Sequence, residues 1–310
     1  MYWPYYTTTL LPYYSRNPFV ASIIEEMKKL ILLLALLLWA VAFEAQAKKV
    51  ALLIGVGNYP QYSDHSGWGR LSSANDVNLL SKALKQANFQ AVYTLTEAQA
   101  THKGIINRLD KLVGQCSRGD VVLIHFSGHG QQMPDLMHDE KDRLTEAFIP
   151  YDAHRCVTDS YHGKAHLTDD EIRNRLTNLR NRLGPKGLLM VTLDACHSEG
   201  STRDDMDYDE DEGYPVVRGT ADIFELGKKV KITNRLKPDA CRLIELSACK
   251  AGEKNWEYKG YGRLSFILAK KITANTSLEQ LATMVVNDKT VMNRRQTPKL
   301  TTHPVGTWKP

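Results

Sequence analysis

Val121-Val122-Leu123-Ile124-His125-Phe126-Ser127-Gly128-His129-Gly130 and Leu188-Leu189-Met190-Val191-Thr192-Leu193-Asp194-Ala195-Cys196-His197-Ser198 are built alike. Each is an apolar run that stops at small residues, and just past the stop stands one reactive side chain, His129 in the first and Cys196 in the second. Continuous apolar runs without polar alternation read as strands buried on both faces, the habit of parallel sheets. In open α/β sheets, sites form outside the carboxyl ends of such strands. A thiol and an imidazole presented there side by side make a nucleophile and its base.

Working outward, strands and helices alternate. Val50 to Val56 is a further apolar run, closed by Gly57-Asn58-Tyr59-Pro60. Asn75-Asp76 opens a helical pattern with Val77, Leu80, Leu84 and Ala87 on one face, and a short strand follows over Ala91 to Leu95. Ile105, Leu109, Leu112 and Val113 mark a second helix. Ala147 to Pro150 reads as extended, and Thr168 with Glu171 has capping-box spacing before a helix carrying Ile172, Leu176 and Leu179. Residues 199–221 are acidic and contain glycine, the composition of a mobile loop. Leu243 to Cys249 reads as a central strand, Leu264–Ile272 and Leu278–Val286 as helices, and Gln296–Leu300 as an edge strand, where a proline is tolerated. This predicts an α/β domain with a mostly parallel six-stranded sheet and helices on both faces.

The 310 residues are 43% hydrophobic and 24% charged, ordinary for a globular chain. The net charge of +5 is not gathered into a basic stripe, so no nucleic-acid partner is expected. Met27-Lys28-Lys29, the apolar run Leu30 to Phe43 and Ala45-Gln46-Ala47 together have the form of a secretory signal over residues 27–47. The run is shorter than the roughly 20 residues of a membrane-spanning helix, so no stable span is expected. Residues 1–26 then read as a mis-assigned leader, with a membrane anchor as the alternative. Either reading places the mature chain outside the cytoplasm, secreted or periplasmic. Cys116, Cys156, Cys196, Cys241 and Cys249 make an odd count, which leaves at least one free thiol, for which Cys196 is the candidate.

These motifs resemble the caspase-like clan of cysteine peptidases and, within it, the bacterial metacaspases. The resemblance rests on Ala51-Leu52-Leu53-Ile54-Gly55, Ala74-Asn75-Asp76-Val77, His125 to Gly130 and Asp194 to Ser198, in that order, and spans residues 48–302. It implies a large-subunit-like part over 48–198, an acidic linker over 199–221 and a small-subunit-like part over 240–302. Two departures stand out. Glu199 intervenes before Gly200 where the family has Gly directly after Cys-His-Ser, and Asp194 replaces the Gln of the caspase Gln-Ala-Cys signature. The separation of His129 from Cys196 also exceeds the roughly 50 residues of caspases, so the metacaspase branch fits better.

The resemblance implies an endopeptidase cutting protein or peptide substrates after Arg or Lys. Cys196 would be the nucleophile and His129 its base, with the N–H groups of Gly130 and Cys196 facing the oxyanion. Asp76, Ser127 and Asp194 would form an acidic S1 pocket. Asp194 shares a strand face with Cys196, whereas for Asp76 a helix N-terminal acid is the alternative reading. His125 and His197 are expected to be structural or turned away. No cofactor is required for the chemistry. Asp169 and Asp170, with Asp204 and Asp205, resemble the family's calcium-binding acids, although Thr145 stands where another Asp is usual; an acidic helix start and a solvated loop is the plain alternative. Arg203, Arg218, Lys228 and Lys229, in and after the acidic loop, are candidate sites of self-cleavage. The alternatives are a clostripain- or gingipain-like peptidase, a non-catalytic caspase-like binding module, and a zinc site of His125, His129, Cys196 and His197, which lacks short paired-ligand spacing.

Overall fold

Four largely buried runs rich in Val, Ile and Leu form the centre of one six-stranded sheet, and two shorter, more polar and partly exposed strands close its edges. The computed structural model describes residues 18–42 (side chains for 18–34), 47–63, 66–138, 140–196, 216–250, 252–290 and 296–309. Residues 1–46 and 47–310 are separate units. The first holds a helix, α1 (Pro18–Ala42). Glu25–Lys28 and Glu26–Lys29 pairs at 3.0 and 2.7 Å lie on its exposed surface. Among the described residues no helix is long and apolar enough to cross a membrane.

In the second unit the elements run β1 (Lys49–Gly55), α2 (Ser73–Gln86), β2 (Ala91–Thr96), α3 (His102–Gln115), β3 (Val121–Ser127), β4 (Gly130–Pro134), β5 (Leu144–Phe148), β6 (Leu167–Thr168), α4 (Asp169–Leu183), β7 (Leu188–Asp194), β8 (Arg242–Ser247), β9 (Glu257–Tyr258), β10 (Tyr261–Gly262), α5 (Arg263–Lys271), α6 (Leu278–Val286) and β11 (Lys299–His303). The main sheet has the order β11-β8-β7-β3-β1-β2. All its neighbours are parallel except the edge pair β11–β8. From β1 the chain builds outward to β2 on one side and through β3, β7 and β8 on the other, so the topological switch lies between β1 and β3.

Alternate residues of each strand feed two cores. Leu52, Ile54, Val122 and Ile124 pack with Ile105, Leu109 and Leu112 of α3 and Leu176, Leu179 and Leu183 of α4. Leu53, Leu123 and Met190 pack with Val77, Leu80 and Leu84 of α2 and with Leu264, Ile267, Leu281 and Val285 of α5 and α6. The expected six-stranded α/β sheet with helices on both faces is the one observed.

Local boundaries differ in instructive ways. The edge strand starts at Lys299, not Gln296. Gln296 is buried, and its amide is spent on the Trp256 N–H, the Asn255 side chain and the Ala248 carbonyl. Helix α2 begins at Ser73, ahead of Asn75. The capping box at α4 is half-made: the Thr168 hydroxyl accepts from the Glu171 N–H, but the Glu171 carboxylate turns to His102 and Lys228. A complete box stands instead at α6, between Ser277 and Gln280.

Candidate active site

The β3–β7 ladder pairs Ser127 with Asp194. His129 and Cys196 each follow two residues later, so the parallel register delivers imidazole and thiol from adjacent strand ends. The Gly128 N–H donates to the Asp194 carbonyl at 3.3 Å and ties the two ends together just below them. Gly130 then opens β4, paired with Phe148.

His129 is held on every side. Its Nε2 lies 2.9 Å from the Gly69 carbonyl, its ring stacks on Trp68 with centroids 4.9 Å apart, and Tyr59 lies at 5.3 Å. The Tyr59 hydroxyl also accepts from the His129 N–H at 3.1 Å. A carbonyl only accepts, so Nε2 carries the proton and Nδ1 keeps its lone pair. Nδ1 is buried without a hydrogen-bond partner. Burial pushes the imidazole down to about 4, against the opposing bond to Gly69, so it is neutral near pH 7.

Cys196 is buried, its Sγ donating to the Glu253 carbonyl at 2.9 Å and its main-chain N–H to the Arg218 carbonyl at 2.7 Å. The Cys249 thiol lies against it, and that contact, followed by burial, pushes Cys249 well above the ordinary thiol range. None of the five cysteines is in a disulfide.

Beside Cys196, Asp76, Ser127 and Asp194 come together as the resemblance implied, around an arginine of the same chain. Arg218 is fully buried. Its Nη1 lies 2.8 Å from Asp76 Oδ2, 2.7 Å from Ser127 Oγ and 4.0 Å from Asp194 Oδ1. Its Nη2 lies 2.8 Å from Glu257 Oε1. Asp76 is thus no simple helix-start acid. Burial, only partly offset by Arg218, pushes it up to about 6. Burial also raises Asp194, but Arg218, His125 and the bonds from Ser265 and Asn255 outweigh it and hold that carboxyl below its ordinary range.

The segment that carries Arg218 is not a loose loop. Val217 bridges Trp256 antiparallel, the Arg218 N–H donates to Asn255 O at 2.9 Å, and the Glu257 N–H donates to Val216 O at 2.9 Å. At Gly219 a Cβ would stand 2.2 Å from the Cys196 carbonyl oxygen, so only glycine lets the chain pass so close to the thiol-bearing residue. Within the 199–221 stretch expected as a mobile loop, main-chain pairing and a buried ion pair therefore hold Val216 to Arg218. Residues 199–215 lie outside the described residues.

The other nominated residues sit elsewhere. His125 is structural: Nδ1 meets Thr192 Oγ1 at 2.7 Å, Nε2 meets Ser265 Oγ at 3.0 Å, and burial pushes the ring down to about 4. Lys228 is clasped by Glu171 at 2.7 Å and by the carbonyls of Lys164 and His166. His197, Arg203, Asp204 and Asp205 lie outside the described residues. Asp169 Oδ1 accepts from the Thr145 hydroxyl and from the Asp170 N–H at 2.9 Å, and Asp170 is buried. Among the described residues no three His, Cys, Asp or Glu side chains form a group that could hold a metal ion. Asp169 and Asp170 do not make a calcium site by themselves, and the described residues contain no zinc site.

Trp68, Gly69, Asn255, Glu257 and Ser265 escaped the sequence reading. Asn255 Nδ2 donates to Asp194 Oδ1 at 2.8 Å, and the Ser265 N–H and hydroxyl both donate to Oδ2. None lies in a periodic or spaced pattern. The acid in Trp256-Glu257-Tyr258 is a single charge between aromatics, with no neighbouring motif to single it out.

Comparison with known proteins follows this geometry. The chain is 32% identical over 167 residues to Metacaspase-1A of Aspergillus terreus, covering 51% of this chain and 37% of that protein. It is 31% identical over 167 residues to Metacaspase-1 of Coccidioides immitis, covering 51% and 32% respectively. The chain therefore spans about a third of the length of these curated relatives. Among solved structures, protein GSU0716 from Geobacter sulfurreducens shares the fold at a TM-score of 0.58 and 20% identity, over 84% of this chain and 95% of that one. The caspase-domain family model (Peptidase C14) matches residues 48–306, nearly all of the second unit, and the chain belongs to that family.

Proposed function

We propose that the chain is a cysteine endopeptidase that cuts after Arg or Lys through a Cys196–His129 dyad. The observation that carries this reading is Arg218. Its guanidinium fills the acidic pocket while its carbonyl accepts from the Cys196 N–H, the pose of a P1 residue with its carbonyl oxygen where an oxyanion would form. The antiparallel pairing of Val216 to Arg218 against Asn255 to Glu257 is the main-chain grip that an extended substrate would receive.

In this reading the Cys196 sulfur attacks the P1 carbonyl carbon while His129 Nδ1 takes the thiol proton. The oxyanion faces the Cys196 N–H and, by family resemblance, that of Gly130. The imidazolium then protonates the leaving amine, and a water activated by His129 hydrolyses the thioester. In the resting chain the thiol is turned to Glu253 and Nδ1 is unpartnered, so Cys196 must rotate before the proton can pass. The chain is then its own first substrate, cut between Arg218 and Gly219. Retention of both thiol and imidazole weighs against a non-catalytic binding module.

The test uses the full chain beside Cys196→Ala, on fluorogenic peptides ending in Arg, Lys or Asp, with mass analysis of the protein itself. Cleavage after Arg or Lys that the control lacks, with a fragment ending at Arg218, supports the reading. Cleavage after Asp alone removes the pocket assignment, and no cleavage in any condition removes the peptidase. Calcium as activator rests on the family likeness of Asp169, Asp170, Asp204 and Asp205, and parallel assays with calcium and with chelator decide it. Action outside the cytoplasm rests on residues 27–47, and N-terminal sequencing of the exported chain checks cleavage before Lys48.

A further inference from the structure

We infer that Glu257 is a specificity-determining residue that makes this pocket select Arg over Lys at P1. The inference rests on reading Arg218 as the stand-in for a P1 side chain.

The two outer nitrogens of Arg218 are held by different acids. Nη1 goes to Asp76 and Ser127, at 2.8 and 2.7 Å, and Nη2 goes to Glu257 at 2.8 Å. Asp194 is 4.0 Å away and contributes charge rather than a hydrogen bond. A planar guanidinium presents its donors in a fixed fork, which matches two carboxylates on two sides. A lysine ammonium is one nitrogen, placed where arginine carries its central Cζ. From that point it cannot meet Asp76 and Glu257 together at hydrogen-bond distance.

The carboxylates cannot move in to meet a shorter side chain. Glu257 Oε1 also accepts from the Ser72 N–H at 2.7 Å, just ahead of α2. Asp76 Oδ1 accepts from the Gly262 N–H at 2.9 Å, and Asp194 is bound by Asn255 at 2.8 Å and by Ser265. Even the wall is tight, since a Cβ on Gly262 would stand 2.1 Å from Asp194 Oδ2. A lysine in this pocket leaves one buried carboxylate without a cation, the costly arrangement for an ion pair taken out of water.

The deciding experiment compares wild type and Glu257→Gln on peptide pairs that differ only in Arg or Lys at P1. Gln keeps a carbonyl oxygen for the Ser72 N–H, so the fold is preserved. The expected result is a wild-type kcat/KM ratio of Arg to Lys of about 10 to 100. In Glu257→Gln the Arg value falls by about that factor and the Lys value changes less than about threefold, because lysine never used Glu257 fully. Equal rates for Arg and Lys in wild type, or an equal loss on both in the variant, overturn the assignment while leaving the endopeptidase standing. No cleavage after either residue overturns both.

A second measurement needs no activity. In Arg218→Ala, ethylguanidinium at millimolar concentration should raise the Tm, and propylammonium at the same concentration should raise it far less. Adding Glu257→Gln should erase the difference. Equal shifts from the two cations in Arg218→Ala also overturn the assignment.

Discussion

The main-chain N–H of Cys196 donates to the carbonyl oxygen of Arg218 across 2.7 Å, and the guanidinium of that same arginine is fully buried among Asp76, Asp194 and Glu257. One residue therefore occupies both the acidic pocket and the hydrogen-bond donor beside the thiol. On the proposed reading, a peptide substrate competes for both until Arg218 leaves.

Gly219→Val should unseat this segment. A Cβ there meets the Cys196 carbonyl at 2.2 Å, and backbone cannot yield as a flexible side chain would. The expected outcome is at least a tenfold slower appearance of the fragment ending at Arg218, with Cys196 alkylated faster by iodoacetamide. Self-cleavage at the wild-type rate would falsify the substrate-like reading of Gly219.

Arg218→Ala removes the only cation in contact with three buried or nearly buried carboxylates among the described residues. Stripping one partner from a buried ion pair costs about 3–5 kcal/mol. A urea melt should show a loss of that order at pH 7. A variant as stable as wild type means the pocket acids become protonated or hydrated without penalty.

Asp76 sets a pH dependence. Its carboxyl is pushed up to about 6 by burial, with Arg218 pulling it down and Asp194 pushing it up. That value holds with a guanidinium in the pocket and the carboxyl lies higher without one, so affinity for a cationic P1 side chain is full well above 6, falls as pH drops toward 6 and levels off below it. His129, held down to about 4, stays neutral across this window and does not confound it. KM for an Arg peptide should rise by up to about tenfold per pH unit as pH falls toward 6 and level off below it, and Asp76→Asn should be poor and flat. A KM that is constant from pH 8 to 6 in wild type refutes this.

Ser265→Ala deletes a hydroxyl that bonds both Asp194 Oδ2 and His125 Nε2. The loss leaves buried polar atoms under-satisfied, at about 1–3 kcal/mol. Tm should fall and KM for Arg peptides should rise while kcat holds, because Ser265 braces the pocket and does not touch the thiol. A fall in kcat with KM unchanged assigns Ser265 another role.

Much of the fold was legible because its signals are local and repetitive. The runs Val121–Phe126 and Leu188–Leu193 are apolar at every position, which only strands covered on both faces can bury. His129 and Cys196 were legible for the same reason, standing where those runs stop. The edge strand was misplaced because Pro298 marks a strand start as readily as an interior edge position, and only the buried amide of Gln296 shows that the residues before it serve the site. Residues 199–221 read as a loop from composition alone, and composition carries no information on which arginine finds a pocket.

The sequence by itself determined the α/β layering and the strand ends that carry thiol and imidazole, and the family resemblance named three of the side chains now found around Arg218: Asp76, Ser127 and Asp194. Only the tertiary structure decided that Glu257 completes the pocket, that Gly69 and Trp68 fix the His129 ring, and that Arg218 fills the site. Hydrophobic periodicity is written in neighbours along the chain, and a strand or helix reports it within a few residues. A buried ion pair instead joins residues far apart in sequence through distances of a few ångströms. Its partners are ordinary charges until the sheet, the helices and the returning segment bring them together.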